Sequence, residues 1–424
     1  MRVLILTRAP WRNDNNTGNT LTNLFSGMDN LEISNLYLRE QLPDNDITIR
    51  NFSISEIQLI KNLLKGELVG REVTTKDEAS DATEANLYSV AKKKSNAILT
   101  WLREVLWLLG KWRNDNLKEF LRKINPDVIF VPMFCFVYPY RVLQFLQKYT
   151  SAKVMLFHPD DNYTLKQFSF SPIYWIYRFA LRKWVRNTVR IASINYAISN
   201  LQKEEYEIAF QKSFKVITKG LDFNEVPQYL TKNNRIMQLV FTGNIGTNRW
   251  KSLKMIADAL EKINQDCIKA QLRIYTATPV TKKMEKALSR GETSILMGSV
   301  PASEVPGIQE RADILVHVEA LDLKNRLTVR QSFSTKIVDY LKAARPILAV
   351  GPKDVASIDH LIRNNCAITA ENSEELERKL REVLADRATL RHIAENGYEC
   401  GRKYHNRQDI QTMLMNDLNV VCNH

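Results

Sequence analysis

An α/β class, built as two successive domains that each wrap helices around a parallel sheet, is predicted by three features of the sequence. Short runs rich in Val, Ile and Leu alternate with longer stretches of helical period, the pattern of strands covered on both faces. That alternation occurs twice, once in each half of the chain. The length, 424 residues, exceeds the roughly 250 to 300 residues that one ordinary core sustains, so two domains are expected.

The first strand is read at residues 3–6, directly after Arg2, in an apolar run too short for a secretory signal. Further strands of the first half fall at 128–131, 154–157 and 195–198. Residues 66–85 are polar, acidic and aperiodic, and with the basic triplet Lys92, Lys93 and Lys94 they read as an excursion from the core. The stretch 96–112 reads as an amphipathic helix, interrupted by Arg103, Glu104 and Lys111, which argues against a membrane span. In the second half, strands fall at 239–242, 272–275, 314–318 and 347–350, separated by helical stretches. Gly220, Pro227 and several Asn residues break the periodicity of 216–234, which places a linker near residue 220. The chain thus divides into Rossmann-like domains at 1–219 and 220–405 and a final helix at 406–424 expected to pack back on the first domain. Any ligand is expected in the cleft at the carboxyl ends of the strands.

Hydrophobic residues at 44% and charged residues at 25% exclude wholesale disorder and fibrous classes. A formal charge of +13 points to an anionic partner, whether nucleic acid, an anionic membrane surface or a small anionic ligand. Cys135, Cys267, Cys366, Cys400 and Cys422 are odd in number and scattered, as expected of core thiols in a reducing cytosol. The six histidines show no metal-ligand spacing with cysteines or carboxylates, so no metal site and no cofactor are expected.

Four segments carry candidate chemistry. After the first strand, Gly18 and Asn19 sit in a polar loop that enters a helix; such a loop admits a phosphate to backbone N–H groups, or simply starts the helix. It completes neither the dinucleotide fingerprint nor the lysine-containing P-loop. The sequence HPDDN sets His158, Asp160 and Asp161 just after a strand, where a carboxylate or imidazole could hold or deprotonate a hydroxyl. The alternative is that Pro159 forces a turn and the aspartates cap the next helix.

The third segment, FTGNIGTNRWKSL, ends a strand in a glycine loop where Gly243, Asn244 and Gly246 permit close backbone approach and Arg249 and Lys251 could neutralise a diphosphate. Trp250 reads as a packing or interdomain contact. In the fourth, a polar loop delivers Ser334, Thr335 and Lys336 to the start of an amphipathic helix, making an anion site, and Asp339 follows one turn later. That helix stops before Pro346.

These segments together resemble the retaining GT-B enzymes of glycosyltransferase family 4, particularly bacterial transferases of polysaccharide or glycan assembly, over most of the chain. In that family two glutamates eight positions apart mark the donor loop; here Gln331 and Asp339 hold those places. The resemblance implies a nucleotide-sugar donor, with Ser334, Thr335 and Lys336 at its sugar or phosphates and Asp339 at its ribose. It implies Gln331 and Glu319 beside the donor sugar, although Gln331 cannot act as a carboxylate. Asn244 stands where the family usually has arginine, so Arg249 or Lys251 would supply that charge. TGNT, YAISNLQKEEY and KGLDF resemble the family's glycine loop, pre-linker helix and linker. A metal-independent transfer to a glycan or lipid-linked acceptor follows from the resemblance, with lysine, arginine and helix N-termini stabilising the departing diphosphate.

Residues 168–190 interleave aromatics with Arg178, Arg182, Lys183, Arg186 and Arg190, as does 96–115 to a lesser degree, a composition suited to peripheral contact with an anionic bilayer or to an ordinary helix with a solvated face. A nucleotide-sugar epimerase, a phosphorylase and a donor-binding subunit without catalysis are the rival readings. No nucleic-acid-binding module is recognisable.

Overall fold

The computed structural model describes residues 1–74, 97–225, 227, 229 and 234–423. The N-terminal sheet contains β1 (Arg2–Thr7), β2 (Glu32–Tyr37), β3 (Thr48–Ser53), β4 (Arg71–Val73), β5 (Val128–Pro132), β6 (Lys153–His158), β7 (Ile194–Ala197) and β8 (Lys215–Val216). Its order is β4-β3-β2-β1-β5-β6-β7-β8, parallel except for the β3–β4 pair. The second sheet contains β9 (Met237–Thr242), β10 (Ala270–Tyr275), β11 (Ser294–Gly298), β12 (Ile314–Val318), β13 (Ile347–Val350) and β14 (Ile368–Ala370). Its order is β11-β10-β9-β12-β13-β14, parallel throughout. The two-domain α/β architecture read from the sequence is therefore present.

Alternation along each central strand feeds two cores. On the first sheet Leu4, Leu6, Ile129, Val131 and Leu156 face one helical layer, and Val3, Ile5, Phe130, Met155 and Phe157 face the other. β5, β12 and β13 are buried at every position, as strands with both faces covered must be.

The hydrophobic cluster around Phe130 continues into the second domain through the helix Arg407–Asn423, whose Ile410, Leu414, Leu418 and Val421 lie in it. Polar contacts fix that helix to the first domain: Tyr196 donates to Asp417 at 2.7 Å and Gln411 to the Ser26 carbonyl at 2.8 Å. The chain crosses between domains in two adjacent strands of backbone, where Leu221 N–H donates to His405 O at 2.8 Å and Arg407 N–H to Leu221 O at 2.9 Å. Gly220 lies in this hinge, and a Cβ there would come within 2.7 Å of Arg407 Cα.

One expectation is corrected in part. Residues 66–74 are not an excursion: Val69 and Val73 are buried, and β4 pairs with β3 as the antiparallel edge. The remainder, 75–85, and the Lys92–Lys94 triplet lie outside the described residues.

Candidate active site

In each sheet the strand order reverses beside the first strand, between β9 and β12 in the second domain and between β1 and β5 in the first. Loops leaving such neighbours diverge to opposite faces, so a crevice opens at their carboxyl ends. Both crevices are lined by charged side chains.

In the second domain, β9 ends at Thr242 and Gly243 follows with φ +147, backbone that side chains rarely adopt. A Cβ on Gly243 would overlap the Lys336 ammonium and lie 2.8 Å from Lys336 Cε. The missing side chain thus lets Lys336 lie across the loop, 5.7 Å from the Phe241 ring centroid. Thr247 and Asn248 also adopt positive φ before the helix Arg249–Ile263 begins. Arg249 in its first turn donates from Nε at 3.0 Å and Nη2 at 2.9 Å to Glu319, just beyond the end of β12.

Burial pushes the Glu319 carboxyl up, against the pull of Arg249 and Lys336. His317 is buried beside it and burial, with Arg249 and Lys336 adding, holds the imidazole down at about 3, hence neutral. Burial and the neighbouring Arg249 bring Lys336 down to about 8 despite Glu319 and Asp339. Two cations thus converge on one buried carboxylate, and Lys336 forms no ion pair among the described residues. An ammonium held this way is poised for an incoming anion.

The remaining residues of that loop divide. Ser334 N–H is occupied by Ser357 Oγ at 2.9 Å, whereas Thr335 is exposed at the head of the helix Lys336–Lys342 and makes no side-chain cap. Asp339 accepts from Lys219 of the hinge at 2.6 Å through Oδ1. Asn244 is exposed and turned into its own loop, accepting from Gly246 N–H at 2.6 Å. Lys251 is exposed, with its Nζ 5.9 Å from the Trp250 ring centroid.

Gln331 departs from expectation. It is fully buried and spends its side chain across the domain interface, donating to Glu205 at 2.5 Å and accepting from Gln202 at 3.4 Å. It therefore clasps the domains and presents no free amide to a sugar in this conformation. Glu205 and Arg330, neither singled out in the sequence, form the centre of that clasp with bonds of 2.7 and 2.5 Å. Burial pushes the Glu205 carboxyl up, but Arg330, Lys166 and Gln331 outweigh it and hold it at about 2.

In the first domain a cavity of about 370 Å³ opens at the ends of β1, β5 and β6, lined by Arg8, Asn16, Thr17, Arg39, Cys135 and Asp160 among others. Asp160 is at its mouth, accepting from Ser332 of the other domain at 2.6 Å, and the protein around it raises its carboxyl, helped by Asp161.

His158 and Asp161 are corrected. His158 is wholly buried, edge-on to Tyr206 and beside Phe214, and burial drops it to about 3, so it is a neutral packing residue. Asp161 is buried and consumed by the turn that follows: it accepts from Tyr163 and Thr164 N–H at 2.9 and 2.7 Å and pairs with Arg178 at 3.2 Å. Gly18 is not at the cavity wall; its N–H is capped by Asn15 at 2.7 Å, and a Cβ would meet Arg12 backbone N at 2.6 Å. Asn19 is exposed off the cavity, while Asn16 and Thr17 of the same helix line it. Among the described residues, no three His, Cys, Asp or Glu side chains gather as metal ligands.

Two such domains, each presenting the carboxyl ends of its strands to a common cleft, define the GT-B architecture. Residues 237–386 match the family model described as glycosyl transferases group 1. Fold and family match together support a GT-B glycosyltransferase. The chain is similar in structure to HepE of Anabaena in complex with UDP, at 12% identity and TM-score 0.63, covering 99% of this chain and 100% of that one. HepE in complex with UDP-glucose gives 14% identity and TM-score 0.60 over the same shares. Sucrose-phosphate synthase from Thermosynechococcus elongatus gives 11% identity and TM-score 0.61, covering 98% of each chain. At these identities the likeness establishes the fold. No curated protein sequence matches the chain.

Proposed function

We propose that the protein is a retaining, metal-independent transferase. It moves a sugar from a nucleotide-sugar donor in the second domain to a hydroxyl of a glycan or lipid-linked acceptor in the first, at the cytoplasmic face of a membrane during glycan assembly. The observation that carries this reading is Lys336, an ammonium without an ion pair among the described residues, laid over Gly243 at the β9–β12 crevice with Arg249 beside it. A diphosphate seated there meets both cations, and Asp339 has an oxygen beyond its Lys219 contact to accept from a ribose hydroxyl. Ser334 and Thr335 open the same helix toward the sugar or phosphates, and Glu319 is within reach of sugar hydroxyls once Arg249 turns to phosphate.

In the transfer, the bond from the anomeric carbon to the diphosphate oxygen breaks and a bond to the acceptor oxygen forms on the same face. The hydroxyl proton passes to the departing diphosphate. Lys336 and Arg249 stabilise the charge that develops there, doing by fixed cations what a metal does elsewhere. Asp160, with its raised carboxyl at the mouth of the first-domain cavity, orients the acceptor hydroxyl. The complexes of HepE with UDP and UDP-glucose make uridine diphosphate sugars the first donors to test.

Membrane contact is supported by exposed apolar side chains on three helices packed together. The helices Glu56–Lys65 and Pro172–Ile191 both pack on Ala97–Leu109. They expose Leu63 and Leu64, Leu102 and Leu109, and Ile176 and Phe179, with Phe170 90% exposed alongside. Exposed Lys61, Lys65, Lys111, Arg113 and Lys183 accompany them, the composition of a surface that lies in an anionic interface. No helix among the described residues is long and apolar enough to cross a membrane.

The test is calorimetry with UDP, GDP, ADP and TDP sugars, followed by NMR of the anomeric configuration of any product. Binding by one nucleotide class and a product of unchanged anomeric configuration are expected. Binding by none overturns the reading. Binding without turnover across acceptors would make the chain a donor-binding subunit, the role that the buried Gln331 favours.

A further inference from the structure

The first-domain cavity contains an arginine that no carboxylate pairs among the described residues, its charge met only by Tyr138 and, at longer range, by Cys135 and Glu56. Arg8, directly after β1, lays its guanidinium on the Phe136 ring at 4.2 Å, and its Nε is buried without a hydrogen-bond partner among the described residues. It forms no ion pair there. A buried guanidinium nitrogen left unbonded carries a desolvation cost that an incoming acceptor oxygen would remove.

The surroundings share its sign. Arg103 stands over the same Phe136 ring at 5.2 Å, and Arg39 lines the cavity. Arg8, Arg103 and Arg39 all act on the buried Tyr138 hydroxyl, and Glu56 is the one carboxylate that acts with them. Glu56 is already taken by Arg103 at 2.6 Å. The helix Asn16–Phe25 begins at the same wall with Asn16 and Thr17 and has no acidic residue in its first turn, so its positive end adds to the field. Asp160, the one carboxylate among the described residues that line the cavity, is engaged by Ser332 of the other domain at 2.6 Å.

We propose that this cavity binds a phosphate or diphosphate ester carried by the acceptor, with Arg8 as its principal ligand, so that the accepting hydroxyl is fixed beside Asp160. The inference rests on the transferase reading and specifies its acceptor: a phosphorylated sugar or a prenyl-diphosphate-linked one, and not a neutral glycan. Arg8 takes the phosphate oxygens through its fork of N–H donors, and Phe136 keeps that fork flat against the cavity wall. The two sources share the phosphate and differ in the tail.

The test measures inorganic pyrophosphate binding by calorimetry with the second-domain site saturated by UDP, and repeats it without UDP in Lys336→Ala. The second arm still reports on the cavity if UDP does not bind, so failure of the donor reading and failure of this one are distinguishable. Pyrophosphate is expected to bind at least tenfold more weakly to Arg8→Gln, with UDP affinity unchanged as the measure of an intact fold, and Arg8→Lys is expected to recover part of the loss. Displacement by a hexose phosphate identifies a soluble acceptor, and displacement by a short prenyl diphosphate a lipid-borne one. The proposal is overturned if neither displaces pyrophosphate, or if Arg8→Gln binds it as tightly as the unaltered protein.

Discussion

Replacing Lys336 with Met separates what the ammonium does for the fold from what it does for a ligand. In the nucleotide-free protein, burial and Arg249 depress the Lys336 pKa from 10.5 to about 8. At about 1.36 kcal/mol per unit, the charged form is disfavoured in the folded state by up to about 3 kcal/mol. Below pH 8 the side chain is protonated in both folded and unfolded chains, and the whole penalty is present. Between pH 8 and 10.5 the unfolded chain holds a proton that the folded chain has released, so stability rises with pH across that window and the penalty fades.

Lys336→Met should therefore stabilise the nucleotide-free protein at pH 7 by about 1 to 3 kcal/mol, the lower end allowing for residual solvent access and an imperfect apolar fill. The gain should shrink to nothing by about pH 10.5. The same change removes a charge-assisted contact to diphosphate and should weaken nucleotide-sugar binding about 10- to 100-fold. Urea unfolding at pH 7, 8.5 and 10 gives the first quantity and calorimetry the second. A variant less stable than the parent at pH 7, or one that binds nucleotide unchanged, refutes the argument that the ammonium is held strained for an anion.

Three further outcomes are expected. Gly243→Ala puts a methyl where the Lys336 ammonium lies, at φ +147, and should lower nucleotide affinity at least tenfold while circular dichroism stays native. Glu205→Gln leaves Arg330 buried without its carboxylate, at a cost to the clasped state of about 3 kcal/mol, and should raise the radius of gyration in small-angle scattering. Because the Glu205 carboxyl is held at about 2, its contribution to the clasp is complete above its unfolded value of 4.5 and is lost as pH falls toward 2, so the parent should expand below pH 4 and the variant, already expanded, should expand less over the same range. Phe170→Ser together with Leu64→Ser should reduce binding to anionic vesicles at least tenfold, read by sedimentation, with nucleotide affinity intact.

Seven of the eight strands recognised in the sequence share one property, burial on both faces, which writes an apolar run such as ILVHV in β12; the eighth, β10, alternates buried with half-buried positions. β2 escapes that test because a polar side chain serves it from within, Asn35 donating to Ile5 O at 2.9 Å and to Thr7 Oγ1 at 3.0 Å, and β3 because its first half is not buried. In the site, Gly243, Arg249 and Lys336 are legible because a glycine loop and a basic helix start have local signatures. Asp161 misleads for the opposite reason. Its sequence neighbourhood matches that of a catalytic acid, and the Arg178 that neutralises it belongs to a helix whose arginines read as surface. Glu205 carries no local sign at all, since its partner Arg330 lies in the other domain.

The contacts that escaped the sequence are those that join the domains, and they converge on the segment 330–339, which carries the proposed donor-binding residues. Arg330 and Gln331 are gripped by Glu205, Ser332 by Asp160, and Asp339 by Lys219 of the hinge. Arg363 adds a bidentate pair with Glu204 at 2.6 and 3.1 Å. On the proposed function, a ribose at the second oxygen of Asp339 shares that carboxylate with Lys219, and an acceptor that takes Asp160 competes with Ser332. Each ligand thus acts on the clasp as well as on its own site, and can shift the domains only by the difference in its affinity for the open and closed forms. If the proposed sites hold, the two substrates are coupled through these bonds, and acceptor binding should alter donor affinity by the same factor as donor binding alters acceptor affinity.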